Sequence, residues 1–122
     1  MSATKATLGT YLGNLVVQDP AAAAVGQDNV TGAASTVYHL EVDNTANAGT
    51  PVYFKFFDLA DPTIGTSAPQ HTFYVPGGAV GVFTCADGWV FGVAVSYACV
   101  TGREVASTTA PGASVPVKII AA

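Results

Sequence analysis

Charge is what this sequence has least of. Asp, Glu, Lys and Arg make up 10% of its 122 residues, against about 25% in an ordinary soluble domain. The basic side chains are Lys5, Lys55, Arg103 and Lys118, scattered along the chain among eight acids. A nucleic-acid surface needs several cations on one face to neutralise phosphates. DNA and RNA are therefore rejected as direct partners. Cysteine is scarce as well, with only Cys85 and Cys99. They show neither a CxxC spacing nor a nearby histidine pair, which argues against a zinc site. Long apolar runs are missing too. The longest, Trp89 to Val100, is interrupted by Gly92 and Ser96, and nothing approaches the ~20 residues of a membrane helix. Met1 to Thr7 holds no apolar stretch of signal-peptide length, so export by the usual route is not expected. Without it, the two cysteines default to reduced, buried thiols, although a hairpin of their strands could bring them together.

Half of the residues are hydrophobic, and many of these are Ala and Val. The length suits a single domain over residues 1–122, able to bury roughly 65–70% of its unfolded surface. Two readings fit this composition. One is a compact β domain with a Thr, Ser and Gly surface. The other is a subunit that covers its neighbours over a large area, because interface cores are depleted of charge.

Period-2 alternation broken by turn residues runs through the chain, as expected of half-buried strands. In Thr36–Asp43, Thr36, Tyr38, Leu40 and Val42 form the expected core face and Val37, His39, Glu41 and Asp43 the solvent face. Val52–Leu59 is apolar on both faces and should be a central, doubly covered strand. Asp61–Thr66 is a loop, with Pro62 and Pro69 opposing ladder pairing. Gln70–Val75 is a strand, and Pro76-Gly77-Gly78 marks a turn. Ala79–Cys85 and Trp89–Val100 read as two strands joined by a hairpin at Ala86-Asp87-Gly88. Thr7–Tyr11 and Asn14–Gln18 are weaker strand candidates. Asp19-Pro20 reads as the start of one helical turn. Ser107–Ser114 reads as a loop, and Val115–Ile120 as a last strand that Pro116 makes an edge or a bulge. Seven or eight short strands with almost no helix predict an antiparallel β-sandwich, jelly-roll-like. Residues 1–30 are set apart as an extended N-terminal arm. The expected core is Tyr38, Leu40, Phe54, Phe56, Phe73, Val82, Phe91, Val93 and Val95.

No catalytic, cofactor or metal site emerges. His39 and His71 lack an adjacent acid–nucleophile motif and read as structural. Glu41, Asp43, Asp58 and Asp61 do not form the dense acidic loop of a calcium site. Asp58 and Asp61 read instead as loop residues bonding backbone amides. Gly77-Gly78 is no phosphate cradle, because no GK[ST] helix follows. Its glycines suit positive φ in a turn. Trp89, Tyr53, Tyr74, Tyr97 and Phe57 are candidates for a sugar platform, but aromatics in a sandwich more often fill the core. Paired carboxylates in a glycosidase setting are not recognisable, and the chain is expected not to be an enzyme.

Residues 52 to 91 carry a resemblance. Val52-Tyr53-Phe54-Lys55-Phe56-Phe57-Asp58 is followed by Pro62-Thr63-Ile64-Gly65-Thr66, Pro69, Pro76-Gly77-Gly78 and Gly88-Trp89-Val90-Phe91. This pattern resembles small virion structural proteins of tailed bacteriophages. The resemblance implies a protein made in the host bacterial cytoplasm and assembled into the virion. Its leading implication is a capsid decoration or cement protein, partnered by the major capsid protein and homo-oligomeric on the particle. The alternative is a tail, baseplate or fibre component that binds a tail protein or a host-surface glycan. It also implies that Lys55 is a fixed feature, paired with Asp58 or Glu41. The residues alone favour a side chain that snorkels to water. The segment up to Gly26 and the Ser107–Ser114 loop are the expected contact elements.

Overall fold

The computed structural model describes residues 3–7 and 13–122. Eight strands appear among them: β1 (Thr4–Thr7), β2 (Leu15–Ala22), β3 (Ser35–Asp43), β4 (Val52–Phe57), β5 (His71–Val75), β6 (Val80–Phe91), β7 (Ser96–Val100) and β8 (Val115–Ala121). No helix occurs among the described residues. The strands form one sheet in the order β1-β2-β8-β3-β6 and a second in the order β5-β4-β7. Every pairing is antiparallel. The expected all-β, two-sheet sandwich is what the chain forms. Most of the weak candidate strand Thr7–Tyr11 lies outside the described residues.

The two sheets share one core. Val17, Val37, Leu40, Val42, Val117 and Ile119 enter it from the large sheet, and Val52, Phe54, Phe56, Val75, Tyr97 and Cys99 from the small one. Phe54 sits between Phe56, edge-on at 4.9 Å between centroids, and Tyr97, stacked at 5.0 Å. Phe56 continues the cluster to Phe91 and Phe73. As its two apolar faces require, β4 is the central strand of its sheet. Its outward residues Lys55 and Phe57 are buried as fully as its inward ones.

Several local expectations fail, each for a physical reason. A β-bulge between Val37 and His39 leaves Tyr38 as an extra residue against β8, while on the other side it stands opposite the irregular stretch Cys85–Gly88 of β6. An extra residue reverses the alternation. Val37 therefore joins Leu40 and Val42 in the core, while Tyr38 is only half-buried. Ala79–Cys85 and Trp89–Phe91 do not form a hairpin. They are one strand, β6, paired with β3 on both sides of an irregularity at Cys85–Gly88. Phe83 turns inward against Phe73 at 4.7 Å, which sends Val82 outward. The expected strand Trp89–Val100 breaks after Phe91, where the chain leaves the large sheet and enters the small one. Val93, at that crossing, is exposed while Ala94 and Val95 are buried.

Asp19-Pro20 does not open a helical turn. It lies in β2 at a bulge between Asp19 and Ala22, where the Asp19 carboxylate accepts the Ala21 N–H at 3.0 Å. The last strand is not an edge. β8 is the middle strand of the large sheet. Pro116 is tolerated because it faces the β2 bulge, and pairing with β3 begins only at Val117. Of the two alternatives drawn from Pro116, the bulge is the one realised. The described residues of the segment expected as an N-terminal arm, 3–7 and 13–30, lie within the sandwich. β2 pairs with β8, Ala23 and Gln27 form backbone bonds to Cys99 and Tyr97 of β7, and Val30 bonds to Val95 just before it.

Candidate interaction surface

The outward face of the large sheet is the surface that the fold leaves uncovered. Its register sets side chains in rows across the strands. Thr4, Gln18, Lys118, Glu41 and Val82 make one row, and Val16, Ile120, His39 and Thr84 the next. Val80, Val82 and Val90 stand outward on β6, at the sheet edge, and are 50%, 59% and 65% exposed. An edge strand usually carries a Lys or Pro that blunts pairing with another chain. The twelve residues of β6 have neither, and Asp87 is their single charge. Gln70 covers part of the edge by donating to the Val90 carbonyl at 2.9 Å. Beside this row an open groove of about 660 Å³ is lined by Thr4, Gln18, Glu41, Asp43, Val80, Pro116 and Lys118, among others.

His39 lies on this face in a polar ladder that no linear motif announced. Its Nδ1 is 2.9 Å from Thr84 Oγ1, and its Nε2 is 2.9 Å from Glu41 Oε2. A carboxylate only accepts, so Nε2 carries the hydrogen and Nδ1 of the neutral ring accepts from the Thr84 hydroxyl. The trio has the composition of a nucleophile–base–acid set. Its setting differs, because Thr84 stands mid-strand and strand N–H groups lie in the sheet plane, not above it where an oxyanion would form. The ladder links β3 and β6 across the sheet. The sequence separation of 45 residues hid it, and only the strand register brings His39 opposite Thr84.

The other singled-out residues are dispersed. His71 is half-buried among Phe73, Trp89 and Phe91. Asp58 is no ligand candidate. Its oxygens accept the N–H groups of Gly92 at 3.1 Å, Val93 at 2.8 Å and Ala94 at 3.2 Å. These bonds, led by that from Val93, hold its carboxyl below the ordinary range. The loop role expected of Asp58 thus becomes specific: it clamps the crossing between the sheets. Asp61 meets Asp28, whose carboxyl is raised by burial and by the bond and charge of Asp61. The Thr45 hydroxyl and amide hold the Asp43 carboxyl low. No group of three His, Cys, Asp or Glu side chains is placed to hold a metal among the described residues. Cys85 and Cys99 are free thiols on different sheets. Burial, then the charge of Asp19, pushes the Cys99 thiol up to about 12.

The five candidate platform aromatics do not share a surface. Tyr97 and Phe57 are buried, Trp89 packs on Phe73, and only Tyr53 and Tyr74 pair outward, at 5.4 Å, on the small sheet. Gly77 and Gly78 turn the chain from the small sheet to the large one. Gly78 takes φ +79°, and a Cβ on Gly77 would run into the backbone of Asn47, Gly49 and Thr50. The buried Asn44 gathers this corner by donating to the carbonyls of Thr50 and Pro76.

His71 offers a pH test. Burial lowers its pKa from the ordinary 6.5, so the unfolded chain binds the proton first. Stability is full above 6.5 and falls as pH drops toward the lowered value, by at most about 1.4 kcal/mol per pH unit. Urea melts between pH 7.5 and 5 should show the fall, and His71→Gln should remove it. An unchanged slope in that variant would assign the titration to another group.

No protein-family model, no curated protein and no solved structure matches this chain. No helix among the described residues is long and apolar enough to cross a membrane.

Proposed function

We propose that this protein is a structural subunit of a tailed-phage virion, seated on the capsid as a decoration protein across contacts between major capsid subunits. The observation that carries this reading is the uncovered β6 border, where Val80, Val82 and Val90 stand exposed in a chain with little charge. Single exposed apolar residues need no partner, whereas a row of them along one strand edge favours a protein interface. Covering the exposed half of each valine contributes roughly 1 kcal/mol. Many weakly held copies would then resist internal pressure through added buried area, with no chemistry. The resemblance over residues 52 to 91 supplies the particle. The contact surface in this reading is the β6 border, because β1 and β2, the described strands of the segment up to Gly26, pair within the sandwich.

A tail component that binds glycan is the second reading, and the groove beside β6 favours it. Gln18, Glu41, Asp43 and Lys118 offer hydrogen bonds suited to hydroxyls. The groove has no ring on which a sugar would stack, since Tyr53 and Tyr74 belong to the other sheet. This weakens the reading.

The test mixes purified protein with particles lacking it and counts bound copies by gel densitometry. Wild type should load capsids to a fixed copy number. Val80→Lys/Val82→Lys, whose ammoniums stand opposite Asp43 and Glu41 on β3, should keep at least the wild-type urea midpoint and lose at least tenfold in occupancy. Loading of tails instead of capsids supports the second reading, and loading of neither removes both.

A further inference from the structure

The outward face of the small sheet is covered along β7 and the end of β4, though not by a third sheet, while Tyr74 on β5 stays exposed. Phe57 of β4 and Ser96, Ala98 and Val100 of β7 point away from the core and are nonetheless buried. Two loops run over them. Residues 58–70 are anchored where Ser96 Oγ donates to the Leu59 carbonyl at 2.6 Å. Residues 101–109 close on themselves, with Thr101 N–H bonded to the Thr109 carbonyl at 3.0 Å and Ser107 N–H to the Glu104 carbonyl at 3.0 Å. Such a compact loop, with its ends joined and its middle packed on its own residues, is an Ω-loop.

Lys55 lies beneath this loop. It is 1% exposed, and its ammonium donates to one backbone carbonyl, that of Glu104. Neither Asp58 nor Glu41 pairs with it, and it does not reach water. Asp58 is committed to the N–H groups of residues 92–94, and Glu41 is on the other sheet. The register partners of Lys55, Thr72 on β5 and Ala98 on β7, carry no charge. Tyr53 and Tyr74 are the phenols on this face, and Asp61 is engaged with Asp28. On the loop itself stand Arg103 and Glu104, both exposed. An ammonium held by one neutral carbonyl loses far more hydration than it regains.

We propose that residues 101–109 are a lid under strain from Lys55, which opens when Lys55 takes a proton and closes when it loses one. The sign follows from linkage. Burial lowers the Lys55 pKa from 10.5, against a smaller opposing pull from Glu104. The closed form therefore prefers the neutral amine and the open, hydrated form the ammonium. Raising pH tightens the lid. Lowering it favours opening, which uncovers Ala98 and Val100 on a face opposite the β6 border. The device is independent of any virion role.

Arg103, on the lid, reports its state. Trypsin cleaves after Arg103 only when several residues around it extend, which the closed loop forbids. Cleavage is followed by mass spectrometry on the full chain and divided by the rate for a free peptide of residues 98–110, which removes the protease's own pH dependence. This ratio should fall severalfold from pH 7 to 9.5 in the wild type. Lys55→Met, neutral and of similar length, should be cut more slowly than wild type at pH 7 with a flat ratio. Lys55→Arg, charged throughout, should be cut at least as fast with a flat ratio. Faster cleavage of Lys55→Met at pH 7 would make the amine a fastener and overturn the proposal. A flat wild-type ratio would overturn it as well, and that measurement needs no variant to fold.

Discussion

Phe54→Ala should lower the unfolding free energy by about 3–5 kcal/mol, the range for truncating an aromatic side chain in a packed core. Phe54 is fully buried on the inward face of β4 and packs on the rings of Phe56, two residues further along β4, and Tyr97, diagonal to it on β7. The sheet around it is only three strands wide, so neighbours have little freedom to collapse into the gap. Urea melts at neutral pH measure the loss. A change below about 1 kcal/mol would place Phe54 on the outward face and shift the register of β4 by one residue.

Tyr97→Phe should be the most damaging single-atom deletion, at roughly 1.5–3 kcal/mol for a hydrogen bond to a charged group. The Tyr97 hydroxyl donates to Asp19 Oδ2 at 2.7 Å, and both residues are buried. The bond ties β2 in the large sheet to β7 in the small one. Without it, one carboxylate oxygen is left in the core with no partner, because the other already serves the Ala21 N–H. The double variant Asp19→Ala/Tyr97→Phe should lose less than the sum of the two single losses, since it removes the orphaned group together with its partner. Additive losses would show that the pair is not coupled. The same region governs alkaline unfolding. Burial, and then Asp19, raises the Tyr97 phenol above its ordinary range, and the Cys99 thiol rises from 9.0 to about 12. Both groups keep their protons longer in the folded state. Stability is full below pH 9 and is lost as pH rises from there toward 12.

The buried polar residues follow the same logic. Asp19, Asn44, Lys55 and Ser96 each find a partner on a segment distant in sequence or at a bulge. None of these partners follows from spacing. A strand pattern gives which residues share a face, but a carbonyl from a loop nearly fifty residues away has no signature in the alternation. For Lys55 the result is a buried amine under a loop. Both readings of the residue, an acid partner and a route to water, assumed that a lysine must reach one or the other.

The class of this fold is legible in the residues alone. Alternation at β3, β5 and β8, apolar residues on both faces of β4, and turn residues between them leave an antiparallel sandwich as the way to bury these side chains. So are the loop placement of Pro62 and Pro69, the break in the ladder that Pro116 needs, and the bonds of Asp58 to backbone amides. Tertiary structure decided the rest. The bulge at Tyr38 chose which half of β3 faces inward. The contact of Phe83 with Phe73 chose the face of Val82. The Asp58 clamp chose where the apolar stretch from Trp89 to Val100 divides between two sheets. β8 became central because the consecutive strands β2 and β3 leave a gap that this distant strand fills by pairing with both. The physical reason is common to all four. A period of two gives which residues share a face, but bulges, strand breaks and strand order depend on partners that only the folded chain brings together.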